Sequence, residues 1–140
     1  MATPLDPDAR RFALVAKQRF EEARAILNLA KLPAAAQYLG GYAIECALKA
    51  LITVETPPSK RPAGKSVDEW MKDEFGHGLA KLRAAAGRYA QLPKAIVGEF
   101  VFVSRWDPQS RYDPGPGRPE VAERFLLAAE RIIKWADGRM

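Results

Sequence analysis

Pro33-Ala-Ala-Ala-Gln-Tyr-Leu-Gly-Gly-Tyr-Ala-Ile-Glu-Cys-Ala-Leu-Lys-Ala-Leu-Ile-Thr-Val-Glu55 is a run of helical length in which nearly every position is apolar. Proline at its first position suits a helix start, because the amide hydrogen it lacks would have no partner there. The polar residues Glu45, Lys49 and Thr53 recur every four residues, so on a helix they form one narrow stripe. A helix that is apolar around the rest of its circumference must be surrounded by others, which makes this the central helix of a bundle. Charges in mid-span argue against its crossing a membrane. Gly40-Gly41 costs about 1 kcal/mol per glycine relative to alanine inside a helix, a penalty usually offset where another backbone passes close, so a tight helix crossing is expected there.

Outward from this segment the prolines act as punctuation. Towards the N-terminus, Asp6-Pro7-Asp8 opens a first helix with an acidic cap and acid in the first turn, and Phe12, Ala16, Phe20, Ala23, Leu27 and Ala30 form one apolar stripe along it. Leu32-Pro33 ends that helix and begins the next at once, so the two form an antiparallel hairpin. Beyond Glu55, a proline-rich basic loop over 56–65 leads to Ser66-Val67-Asp68-Glu69, a capping box opening a short helix that carries Trp70 and stops at Gly76. Leu79, Leu82, Ala86 and Tyr89 mark a third major helix ending before Pro93. Lys94 to Trp106 is assigned as helix, although Ile96, Val97, Val101, Phe102 and Val103 would also suit a buried strand; a lone strand would leave its backbone unpaired. Asp107 to Arg118, with three prolines and two glycines, is a loop, and Pro119 opens the last helix, whose stripe is Val121, Phe125, Ala128, Ile132 and Trp135. The fold class read from this pattern is all-α, an antiparallel up-and-down bundle of four to five main helices plus a short one. At 140 residues, 48% hydrophobic, it is expected to be one domain spanning 1–140.

The net charge of +5 permits an acidic partner such as RNA, DNA or an acidic protein, but the basic residues are spread through every helix and form no block interleaved with aromatics. One histidine and one cysteine exclude zinc sites built from several such ligands, and no metal or cofactor is expected. Cys46, alone in an apolar run, reads as a small core residue in a reducing compartment. With Asp6 and Asp8 where a signal peptide would be apolar, no targeting segment is visible, and the expected location is the cytoplasm without membrane association. Trp70, Trp106 and Trp135 are expected as core or interface anchors.

Tyr42, the small-residue stretch after it, Glu45, Lys49, Ala50, Leu51 and Ile52 resemble the second-helix signature of the HEPN superfamily, the "higher eukaryotes and prokaryotes nucleotide-binding" helical bundles. Gly76-His77-Gly78-Leu79 with Leu82 is similar to the family's entry into the following helix, and Trp106 with Arg111-Tyr112 is similar to an element preceding its final helix. The resemblance covers roughly residues 10–137 and rests on the order and spacing of the three pieces. It implies a homodimer in which the last-helix regions pair across a two-fold, bringing two arginine loops to one groove. It also implies a bacterial toxin–antitoxin or defence component binding or acting on RNA or nucleotides. The alternative is a non-catalytic adaptor recruiting a protein partner, such as a separately encoded nucleotidyltransferase.

Many HEPN proteins are metal-independent ribonucleases using an arginine, four to six intervening residues, then a histidine. Here Arg105 and Arg111 are each followed by windows without histidine, so the family's ribonuclease motif is incomplete and catalysis is left open, with Asp107, Tyr112 or Asp113 as poorer proton shuttles. The resemblance points to Arg105, Arg111, Tyr112, Glu45 and Lys49 as candidate anion- or RNA-binding residues. For Glu45 and Lys49 two readings stand: a surface ion pair at four-residue spacing, or a polar site joined to Arg105 or Arg111. His77, between two glycines at a helix start, is expected to cap that helix.

Overall fold

The computed structural model describes residues 6–89, 91–104 and 115–140. Helix α1 spans Pro7–Ala25 and continues as a π-helical turn, Ile26–Ala30; α2 spans Pro33–Glu55, α3 Val67–Glu74, α4 Leu79–Tyr89, α5 Lys94–Val103 and α6 Pro119–Arg139, with no strand among the described residues. The ambiguous run after Pro93 is therefore helix. Its first amide bonds close on the Pro93 carbonyl, from Ile96 at 2.9 Å and Val97 at 3.0 Å. Helix α2 is central as expected, packing against α1, α4 and α6, while α5 packs on α6.

The local signals act where they stand. Asp6 accepts from the amides of Asp8 and Ala9, capping α1, and the Ser66 hydroxyl accepts from the Glu69 amide at 3.1 Å. The Glu69 carboxylate meets the Ser66 hydroxyl at 3.3 Å, so the pair closes through the two side chains. Gly76, at φ +57, closes α3 by returning its amide to the carbonyls of Met71 and Lys72. The exception is Ala30, expected on the apolar stripe of α1 but exposed. The π turn widens the helix after Ala25 and shifts its register, so Leu27 stays buried and Ala30 does not.

Residues 53–61 close the open end of the α1–α2 hairpin. Arg61 donates from Nε to the Thr56 carbonyl at 2.9 Å and from Nη2 to the Thr53 carbonyl at 2.9 Å, satisfying acceptors at the end of α2. Its remaining Nη1 reaches Asp6 Oδ2 at 3.1 Å, the carboxylate that caps α1.

Directions follow from the contacts. Helix α1 runs antiparallel to α6, with Arg24 paired to Glu123 and Lys17 to Asp137. Helix α6 runs alongside α2 in the same sense: the Ala34 amide bonds the Pro116 carbonyl at 2.9 Å, and Gly40 lies against Phe125 and Leu126. The tight crossing expected at the glycine pair is this one, since a Cβ built on Gly40 would stand 2.7 Å from Leu126 Cδ2 and 3.3 Å from Phe125 Cε1. Of the predicted stripe on helix α6, Phe125, Ala128 and Ile132 are buried while Val121 and Trp135 are half-buried; Ala122, Leu126, Ala129, Ile133 and Ala136 are buried as well, because the helix is held between α2 on one side and α5 on the other.

Candidate functional site

The polar stripe of α2 does not face solvent. Glu45 and Lys49 are 4% and 8% exposed, with Lys49 Nζ 2.8 Å from Glu45 Oε2, and Thr53 turns its hydroxyl back onto the Lys49 carbonyl at 2.7 Å. The reading of a surface ion pair is thereby corrected: both side chains are buried in the bundle, and in that shielded place the attraction is less diluted by water than at the surface.

His77 reaches this pair from the α3–α4 corner. Its Nδ1 lies 3.0 Å from Glu45 Oε1 and 3.1 Å from Oε2, so the ring turns to a carboxylate 32 residues away. This replaces the local capping role expected for it. The His77 side chain is 57% exposed against 5% for Glu45, so a buried carboxylate holds a largely open imidazole. With Nδ1 committed to Glu45 as donor, Nε2 is the nitrogen left for a ligand. Tyr42 meets the His77 ring edge to face at 5.7 Å, and Tyr38 meets Tyr42 in the same way at 4.8 Å, their hydroxyls 2.9 Å apart. The result is an aromatic row ending at the imidazole. Tyr38 and Tyr42 were not singled out as site residues, although their spacing of four on α2 places them on the side of Glu45.

Cys46, next to Glu45, is half-buried and packed on the core. Burial pushes its thiol up to about 11, reinforced by the neighbouring Glu45 charge, so it is not a nucleophile at neutral pH. Of the candidate residues, the structure brings together Glu45 and Lys49; Arg105, Arg111 and Tyr112, with Trp106, Asp107 and Asp113, lie outside the described residues.

A match to a family of known domains is decisive here. A model of the HEPN domain matches residues 9–139, nearly the whole chain. The chain belongs to the HEPN family. No curated protein and no solved structure matches it. Within this HEPN domain the α2 signature is the buried Glu45–Lys49 pair, and the glycine-flanked histidine is the residue that reaches it. No helix among the described residues is long and apolar enough to cross a membrane.

A second buried carboxylate, Glu99 on α5, was missed. Arg124 grips it with both guanidinium arms, at 2.8 and 3.0 Å, and Arg131 adds a third bond at 3.1 Å. The signal was present: one glutamate in the apolar run of α5, and two arginines seven apart, hence on one face of α6. The Arg124 hydrogen bonds hold the Glu99 carboxyl below its ordinary value of 4.5. A carboxyl depressed in the folded state stabilises fully above its unfolded value and loses that contribution as pH falls through the folded one. Thermal unfolding followed from about pH 6 to about pH 3 should therefore show an acid loss of stability that begins near 4.5 and is shallower in Glu99→Gln.

Proposed function

We propose that this HEPN domain binds RNA or a nucleotide at the face of α2 where Tyr38, Tyr42 and His77 line up over Glu45 and Lys49, as a cytoplasmic component of a bacterial toxin–antitoxin or defence system. The observation that carries the reading is the aromatic row running into an open imidazole held from behind by a buried carboxylate. Aromatic faces and edges suit unstacked bases, and an imidazole suits a ribose hydroxyl or phosphate oxygen. Arg105, Arg111 and Tyr112 are proposed, from the sequence, to supply the phosphate contacts, since arginine forks match phosphate oxygens two at a time. The net charge of +5 favours the same class of ligand.

The test is fluorescence-anisotropy titration of a mixed-sequence single-stranded RNA. Arg111→Ala should weaken binding by about 1 to 3 kcal/mol while leaving thermal unfolding nearly unchanged. Binding should persist in EDTA, since the described residues hold no grouping of three or more metal-ligating side chains. Unfolding at lower temperature with unchanged RNA affinity would make Arg111 structural and remove it from the site.

One further observation supports a protein partner, either a second copy of the chain or a separately encoded protein such as a nucleotidyltransferase. An open groove of about 530 Å³ where α5 and α6 meet the first turns of α2 is floored by Val101, Phe102, Val121 and Phe125 and rimmed by Gln37, Glu120 and Arg124, and Val101 is 61% exposed. An exposed valine over an apolar floor with a polar rim suits a partner's side chains. We read this face as the homodimer contact. Sedimentation at micromolar concentration should give a dimer that Val101→Glu converts to monomer, and a monomer at all concentrations would assign the groove to the other partner.

A further inference from the structure

We propose that the domain holds a second ligand site, apart from the face of α2 described above, and that its ligand is inorganic phosphate carrying one proton. The site is a cavity of about 150 Å³ where the C-terminal ends of α2, α3 and α4 converge. Thr56 and Lys60 line it from the chain just after α2, Trp70 and Glu74 from α3, and Arg88 from the last turn of α4. None of these residues belongs to the RNA-binding reading, so the two stand or fall separately.

Three observations lead there. The first is the Thr56 hydroxyl, which is buried in a residue only 5% exposed and has no hydrogen-bond partner among the described residues. A buried hydroxyl left this way costs free energy that a partner recovers. The neighbouring carbonyls of Thr53 and Thr56 are already served by Arg61, so the hydroxyl stands out as the unsatisfied group at this end of α2. Next come the Lys60 and Arg88 side chains, which line the same cavity and make no hydrogen bond or ion pair among the described residues. The third is Glu74, whose Oε2 accepts from the Trp70 indole N–H, leaving Oε1 as an acceptor beside the two cations.

Size and charge decide the ligand. A cavity of about 150 Å³ holds a group of roughly six non-hydrogen atoms, enough for a phosphate ion but not for a nucleotide's base and sugar. Helix C-termini by themselves favour a cation, but Arg61 covers the last carbonyls of α2, and in the cavity wall the two cations outnumber the one carboxylate. The net preference is for an anion. Lys60, Arg88 and the Thr56 hydroxyl are donors to its oxygens, and Glu74 needs a proton on the ligand to accept. Inorganic phosphate keeps such a proton at neutral pH. Sulfate and phosphodiesters have none, and a phosphomonoester loses its last one near about pH 6, so each of these meets Glu74 charge against charge.

The experiment is calorimetric titration of the full chain at neutral pH in a chloride buffer, with sodium phosphate, sodium sulfate and glycerol 3-phosphate as separate ligands. Saturable binding of phosphate is expected, about tenfold or more tighter than either of the others. Lys60→Met and Arg88→Met, both at exposed side chains, should each weaken phosphate binding by about ten- to a hundredfold with unfolding midpoints unchanged. Thr56→Val should weaken it by roughly two- to tenfold and, since the hydroxyl has no partner to lose, should leave the ligand-free chain at least as stable as the parent. Glu74→Gln exchanges the charge for an amide that can also donate, so sulfate should then bind as tightly as phosphate. No saturable phosphate binding in the millimolar range, or binding unchanged in both Lys60→Met and Arg88→Met, overturns the site. Glycerol 3-phosphate or sulfate bound by the parent chain as tightly as phosphate overturns the assignment to the protonated free ion. A drop in the unfolding midpoint of ligand-free Thr56→Val, with phosphate affinity retained, makes the hydroxyl structural and overturns its part in the site.

Discussion

Lys49→Met should lower the free energy of unfolding by about 3 kcal/mol, whereas Lys49→Met combined with Glu45→Met should return to within about 1 kcal/mol of the parent chain. The reason lies in what is left behind. Lys49 Nζ is 2.8 Å from a carboxylate only 4% exposed, so removing the amine strands a charge that water can scarcely reach. His77 remains, but its ring is open to solvent on the far side and cannot replace a buried cation. Removing both charges and filling the space with thioether side chains of similar length leaves nothing to desolvate, and the surrounding residues of α2 are already apolar. For a chain of this size a change of about 3 kcal/mol lowers the unfolding midpoint by roughly 10 °C. Chemical denaturation of the two single variants and the double variant gives the coupling directly. A loss in the double variant equal to the sum of the singles would mean that the pair contributes packing and not charge.

Gly40→Val should destabilise by about 2 to 3 kcal/mol. Two terms oppose each other at this position. Replacing a mid-helix glycine gains up to about 1 kcal/mol of backbone entropy, while the new Cβ enters the space of Leu126 Cδ2 at 2.7 Å. Leu126 is fully buried and cannot swing aside into solvent, and Phe125 blocks the neighbouring direction at 3.3 Å. For alanine the two terms nearly cancel. For valine, whose branches sit at Cβ itself, the collision wins and α2 must move away from α6. Leu126→Ala in the Gly40→Val background should cost less than Leu126→Ala alone, because the cavity it opens is where the valine has to go.

How much of this could be read beforehand depends on whether the cause is local. The helix starts at Pro7, Pro33 and Pro119, the serine cap at Ser66 and the left-handed glycine at Gly76 act through their own backbone neighbours, and residue order alone displays them. Gly40 was legible for a different reason: a costly residue in a helix implies something outside the helix that requires it. The Glu45–Lys49 pair was visible as a spacing, but its burial was not, because burial depends on how the other helices pack around α2. His77 itself was misread since two flanking glycines offered a nearby explanation, while its partner stood 32 positions away. Glu99 was passed over inside an apolar run whose helix or strand assignment was the question in view, although Arg124 and Arg131 were waiting on one face of α6. Ala30 illustrates a different limit, because nothing in Ile26–Ala30 announces that the hydrogen bonding will lengthen by one residue there.

Arg61 ties the two ends of the α1–α2 hairpin to each other, and this has a kinetic meaning. Helix ends ordinarily fray one by one, each terminal turn opening and closing without regard to its neighbours. Here the first turn of α1 is held by Asp6, the carbonyls of Thr53 and Thr56 at the end of α2 are held by Arg61, and Asp6 and Arg61 hold one another. Loosening either end releases the other's anchor. The two termini therefore open as a single unit, and their amide protons share one protection factor against deuterium exchange, set by one side chain in the loop between α2 and α3.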